Sequence, residues 1–239
     1  MWANASFIKK RGADNMLKKA VYVWEAPIRL YHWINVVLII VLLITGLYIG
    51  KPFAAQTGEP YANFIMGKMR LWHALAAWFF TANFIFRLYW AFVGNEYAKF
   101  KPWRKGFFAD GLDSMKYYLF LKKEHTVHTG HNVIAQLTYF FVMWIGSLFM
   151  ILTGLAMQGE IAPGGFQERF FGWLIPLFGA SSPVRMYHHL VAWLFIIFIV
   201  AHLYLVIRQE ILDDDGTVSS IISGYKFVMN ETEVGHDKK

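Results

Sequence analysis

Five histidines fall inside long apolar runs: His32, His73, His188, His189 and His202. An ionisable group in hydrocarbon is costly, so each needs a chemical reason to be there. His188 and His202 lie fourteen residues apart in Arg185 to Arg208, an apolar run bounded by basic residues and long enough to cross a bilayer. At about 100° and 1.5 Å per residue they fall within roughly 40° of one another and about 21 Å apart along the axis. One helix face thus carries an imidazole near each membrane surface, which suits a helix ligating two stacked haems. For this helix taken alone, a pair of hydrogen-bonded core histidines is the alternative. His189 is rotated about 100° from His188 and cannot share the stripe.

The elements that must position these histidines follow from composition. The chain of 239 residues is 56% hydrophobic and 16% charged, well below the roughly 25% charged residues of a soluble domain, and its mean hydropathy is positive. These values describe an integral membrane protein with one all-α bundle. Four spans are expected, at about 29–50, 70–93, 132–157 and 185–208, within a bundle at 28–210. A basic leader (1–27) without clear periodicity precedes it, and a polar, mobile tail (211–239) follows. The leader delays the first apolar run too long for a secretory signal, so an uncleaved anchor is expected. In the basic loop 94–130, Phe108, Leu112, Met115 and Leu119 recur at three and four residues, as in an amphipathic helix lying on the membrane surface. The net charge of +7 comes from basic residues between apolar runs and fits anionic lipid better than nucleic acid. There is no cysteine, which excludes disulfides, iron–sulfur clusters, Cys-ligated zinc and covalent c-type haem attachment. Any haem is therefore b-type.

Basic residues concentrate in the leader and in 94–130, whereas loops 51–69 and 158–184 hold few. The positive-inside rule then puts both termini and the long loop in the cytoplasm. Trp33, Trp72, Trp90, Trp103 and Trp173 near the span ends form the expected aromatic belt. With these directions the histidines sort by depth, His32 with His202 on the inner side and His73 with His188 on the outer side. Each pair would hold one bis-imidazole haem. Gly46 follows His32 by fourteen residues and leaves span one bare at the outer porphyrin's depth; small-residue helix packing is the other reading. Arg87 follows His73 by fourteen, at the inner depth, where it meets either a haem propionate or, by snorkelling, the headgroups. Thr45-Gly46-Leu47 echoes in Thr153-Gly154-Leu155, both near outer span ends.

The segments EAPIRLYHW (25–33), TGLYIGKP (45–52), MGKMRLWH (66–73), RLYWAFVGNEY (87–97), GHNVIAQ (130–136), YHHL (187–190) and the closing Gly224-Tyr225 occur in a set order and spacing. In these the chain resembles the b-type cytochrome subunit of membrane-bound nickel–iron hydrogenases, over nearly its whole length. It departs from that pattern at Val133, where proline is expected, and at His189, where arginine is expected. The resemblance implies a four-span dihaem subunit of the inner membrane that carries electrons from a periplasmic hydrogenase to quinone. It also implies that His32, His73, His188 and His202 are the haem ligands.

The hydrogen chemistry would belong to a partner, since this chain cannot build a Cys-ligated nickel–iron centre. The same bundle could serve another periplasmic enzyme such as formate dehydrogenase. A histidine-lined divalent metal transporter is a distant alternative, because its ligands would have to converge at one depth, usually with carboxylates. The quinone site is expected near the inner pair. His131 and Asn132, with Gln136 on the next turn and His128 as a proton relay, are the candidates, and capping of span three is the competing role for His131-Asn132.

Overall fold

The computed structural model describes residues 18–53, 63–100, 102, 106–119, 121, 133–213 and 215–229. Its elements run β1 (Lys18–Tyr22), α1 (Ala26–Gly50), α2 (Ile65–Val93), α3 (Phe107–Tyr118), α4 (Val133–Gly159), α5 (Phe166–Phe171), α6 (Leu174–Leu177), α7 (Ser181–Asp213), α8 (Thr217–Ser223) and β2 (Tyr225–Met229). α1, α2, α4 and α7 are long and apolar enough to cross a membrane, and the protein is a multi-pass membrane bundle. α2 begins five residues before the expected start, and α7 overruns 185–208 at both ends. Hydropathy marks the hydrocarbon-crossing stretch of a helix, whereas its ends are set where the backbone finds caps or breakers.

Pro27 in the first turn starts α1, where its missing N–H costs nothing. The preceding Glu25 turns away from its own helix. Its carboxylate accepts from Trp90 Nε1 and from the Asn95 backbone N–H, both at 2.9 Å, and so joins the start of α1 to the end of α2. α1 and α2 therefore run antiparallel, and α4 packs against α7. Midway along the bundle Ile39, Phe80, Met143 and Phe195 form a buried layer, one residue from each spanning helix. Most other large apolar side chains point outward, as expected where the solvent is lipid. α3 buries Phe107 and Ser114 and packs Gly111 on Val133. Its stripe of Phe108, Leu112, Met115 and Leu119 is exposed, as suits a helix on a membrane surface.

The leader and the tail depart from expectation. Lys18–Tyr22 and Tyr225–Met229 pair antiparallel, with Tyr22 opposite Tyr225. A strand of five residues whose partner lies some two hundred residues away has too short a pattern to be read locally. Trp24 Nε1 donates to Ser220 Oγ at 3.1 Å, Trp33 Nε1 to the Ile221 carbonyl at 3.3 Å, and Arg29 to the Ile222 carbonyl. Gly224 closes the turn at φ +92°, where a Cβ would lie 2.6 Å from the Tyr22 ring. Leader and tail thus clasp each other at one end of the bundle, termed the terminal end below.

A buried ion pair holds the clasp. Lys226 Nζ lies 2.9 Å from Asp215 Oδ2, with both side chains 8% exposed. Burial opposes the Asp215 charge, but hydrogen bonds from Thr217 and Lys226 and the ammonium itself hold its carboxyl below the ordinary 3.8. A depressed carboxylate contributes its stability above the unfolded pKa and loses it as pH falls through the folded value. Hydrogen exchange of the Lys18–Tyr22 amides should therefore stay slow at neutral pH and accelerate below about pH 4. Lys226→Met should bring fast exchange at neutral pH, since an orphaned buried carboxylate costs on the order of 3 kcal/mol.

Candidate functional site

At the end of the bundle opposite the clasp, two seats of the same design hold two histidines. His73 leaves the third turn of α2 with Nδ1 2.9 Å from Thr45 Oγ1 on α1. His188 leaves the second turn of α7 with Nδ1 2.7 Å from Thr153 Oγ1 on α4. Each threonine also meets the carbonyl four residues back at 2.7 Å, Val41 for Thr45 and Phe149 for Thr153. The next residue is glycine in both helices. A Cβ on Gly46 would come within 3.1 Å of His73 Cε1, and one on Gly154 within 3.7 Å of His188 Cε1. The Thr-Gly echo is thus a repeated seat for an imidazole. Gly46 thus lets α1 approach the His73 ring closely. His73 and His188 lie within electrostatic reach of one another. His189 leaves their stripe, packs its ring edge-on to Trp193, and points Cε1 at Gly50, where a Cβ would be 2.9 Å away.

At the terminal end His32 and His202 are within electrostatic reach of each other. The His202 ring stacks on Phe198 with centroids 5.6 Å apart and meets Tyr139 edge-on at 6.1 Å. Among the described residues, His32 Nδ1 is buried without a hydrogen-bond partner. Arg87 turns into the bundle, its guanidinium carbon 5.9 Å from the Tyr31 ring centroid and 5.3 Å from that of Trp144, at cation–π range. Asn83 Nδ2 donates to the Tyr31 carbonyl at 3.2 Å and approaches Asn35 Oδ1 at 3.5 Å, tying α2 to α1 beneath the arginine.

Tyr139 and Trp144 reach this end through a break in helical geometry. The segment Tyr139–Ile145 of α4 is π-helical. In an α-helix, residues five apart diverge by about 140°, whereas an i→i+5 ladder brings them much closer to one face. The wider turn therefore presents Tyr139 to His202 and Trp144 to Arg87 from one face. Sequence reasoning missed Thr45, Thr153, Tyr31, Asn83, Tyr139 and Trp144 as site residues. The Thr-Gly echo was the one local signal, and a π turn leaves none in the residue pattern. His131, Asn132 and His128 lie outside the described residues.

The donor set fits haem. Each end supplies two imidazoles, and among the described residues no three His, Cys, Asp or Glu side chains converge as a metal ion held by protein alone requires. His32 Nδ1 is buried without a hydrogen-bond partner among the described residues, so no hydrogen bond at that nitrogen fixes the ring. α7, which carries one histidine of each pair, is the least packed spanning helix, with 6% of its most apolar window buried against 22–28% in the others. A broad planar group between α7 and its neighbours matches that packing.

The family model described as prokaryotic cytochrome b561 matches residues 23–224. The chain is 41% identical over 213 residues to a protein of Cupriavidus necator, covering 87% of each chain. It is 38% identical over 226 residues to one of Escherichia coli K12 (90% of this chain and 93% of the relative) and 37% identical over 226 residues to one of Azotobacter vinelandii (92% and 94%). The relatives from C. necator and A. vinelandii are described as probable Ni/Fe-hydrogenase B-type cytochrome subunits, and that from E. coli as a probable Ni/Fe-hydrogenase 1 B-type cytochrome subunit.

The glycine geometry separates two otherwise similar substitutions. Gly→Ala within a helix gains up to about 1 kcal/mol of propensity. Gly154→Ala should leave the bundle at least as stable as the parent, because its new methyl meets only ordinary contact. Gly46→Ala should unfold at a lower temperature than Gly154→Ala, since the His73 ring must give way; thermal unfolding in detergent measures both.

Proposed function

Because the chain belongs to the prokaryotic cytochrome b561 family, we propose that it holds two b haems, one on each histidine pair, and carries electrons from a nickel–iron hydrogenase to quinone. The observation that carries this reading is the separation of four imidazoles into two pairs at opposite ends of one bundle. His73 lies with His188 at one end and His32 with His202 at the other. Two imidazoles per pair are the donor set that a b haem would take from this chain. When bound, haem supplies one-electron redox chemistry at its iron.

The chain's own residues supply the rest. His73 and His188 would hold one haem and His32 and His202 the other. Arg87, kept inside the bundle over Tyr31 and Trp144, would neutralise a propionate at the terminal end. The layer of Ile39, Phe80, Met143 and Phe195 keeps water out between the two ends.

The terminal end carries Lys18, Lys19, Arg29 and Lys99 and faces the cytoplasm, so the bundle sits in the inner membrane with both termini inside. The opposite end faces the periplasm. There the short helices α5 and α6, with Phe166, Phe170 and Trp173 exposed, give the hydrogenase a docking surface. The hydrogenase is the donor preferred over formate dehydrogenase, since the relatives are described as hydrogenase cytochrome subunits. Quinone takes the electrons near the terminal-end pair, with His131 and Asn132 as its hydrogen-bonding contacts.

Haem loss should go by pairs. In reduced-minus-oxidised spectra, His73→Ala and His188→Ala should remove one b-type component and His32→Ala and His202→Ala the other. If His73→Ala and His202→Ala removed the same component, the pairing would be wrong. His131→Gln should keep both components and their reduction by hydrogen while slowing electron transfer to quinone. Normal quinone turnover in that variant would reject His131.

A further inference from the structure

The two threonine seats make the pairs unequal. A hydroxyl has one hydrogen and can donate it once, although it can accept as well. Thr45 Oγ1 lies 2.7 Å from the Val41 carbonyl, 3.3 Å from the Leu42 carbonyl and 2.9 Å from His73 Nδ1. Carbonyl oxygens only accept. Were the hydroxyl hydrogen directed at the ring, two bare oxygens would face each other at 2.7 Å, a repulsive contact in a low-dielectric interior. The hydrogen therefore goes to the backbone, and the hydroxyl accepts from the ring. Nδ1 of His73 carries the proton, and Nε2 is left with its lone pair. The same argument holds separately at the second seat. There Thr153 Oγ1 lies 2.7 Å from the Phe149 carbonyl, 3.3 Å from the Met150 carbonyl and 2.7 Å from His188 Nδ1. Both hydroxyls belong to buried residues.

We propose that Thr45 and Thr153 are positioning residues that lock His73 and His188 as Nδ1–H tautomers and make both rings stronger donors at Nε2. The proposal rests on the haem reading above. It goes beyond it by giving the ends different electronic character. A hydrogen bond accepted from Nδ1–H pulls that proton outward and shifts density into the ring, which raises the basicity of the opposite nitrogen. A more basic axial donor favours the ferric state and lowers the reduction potential. At the terminal end His32 Nδ1 has no such partner among the described residues, and His202 is flanked by the Phe198 and Tyr139 rings. The pair remote from the clasp is therefore set to the lower potential and the terminal pair to the higher. Electrons arriving at the far end then run downhill toward the clasp.

The test is a potentiometric titration of the purified, haem-loaded chain, following both b-type components, together with low-temperature EPR of the ferric protein. The component removed by both His73→Ala and His188→Ala is identified first. If the parent shows no such component, the haem assignment itself fails, independently of the threonines. With it identified, Thr45→Val and Thr153→Val should each raise its midpoint potential and move its EPR signal while leaving the other component in place. Thr45→Ser and Thr153→Ser should restore the parent values, because serine keeps the accepting oxygen. Loss of that one haem in a valine variant, with recovery in the serine variant, also supports the seat. Unchanged potentials in fully loaded valine variants would overturn the proposal, as would equal shifts of both components, loss of both haems, or serine variants that behave like valine.

Discussion

Hydrocarbon offers a polar side chain no water, so each one inside a spanning helix must find its partner within the protein, at a cost of several kcal/mol if it does not. The arrangement of this bundle follows from that constraint. Thr45 and Thr153 meet it by bonding to their own helices and to histidines on neighbouring ones. Asn83 meets it by reaching across to Tyr31 and Asn35, and the Arg87 cation lies against aromatic faces. These cross-helix links occur at the two ends, and between them lies the apolar layer of Ile39, Phe80, Met143 and Phe195. The molecule is thus divided into two polar compartments joined through an insulating middle, with a histidine pair in each.

The division of labour among the helices is uneven for the same reason. α1 and α2 are the most closely packed pair of spanning helices. α7 brings a histidine to both compartments but packs sparsely. α4 is the adaptor. It is regular where it seats His188 through Thr153 and widened to a π turn where Tyr139 and Trp144 must face the terminal end together.

The parts legible in the sequence were those with a period. Span positions follow from runs of apolar residues, and the depth-matched pairing of His32 with His202 and His73 with His188 follows from helical pitch and alternating direction. The Thr-Gly echo was visible but had no meaning until Thr45 and Thr153 were seen against imidazole rings, because a hydrogen bond between helices has no spacing rule along the chain. For Arg87 the sequence left two directions open, inward or to the headgroups, and its contacts with Tyr31 and Trp144 show it turned inward. What the sequence does not give is Trp144 as one of those partners, because the π turn that presents it leaves no mark in the residue pattern. The strands at 18–22 and 225–229 define each other and leave no trace in either segment alone.

That last pairing bears on how the protein is made. Lys18–Tyr22 leaves the ribosome first, and Tyr225–Met229 only after all four spans have been synthesised. Until then β1 has no strand to pair with, and Trp24, Arg29 and Trp33 lack their partners on α8. An unpaired strand edge is a template for wrong association. The clasp can therefore close only after all four spans have been synthesised. A chain arrested or cut before residue 225 keeps its first strand open to proteases and chaperones, so the sheet serves as a seal of completeness on a protein whose working parts lie inside the membrane.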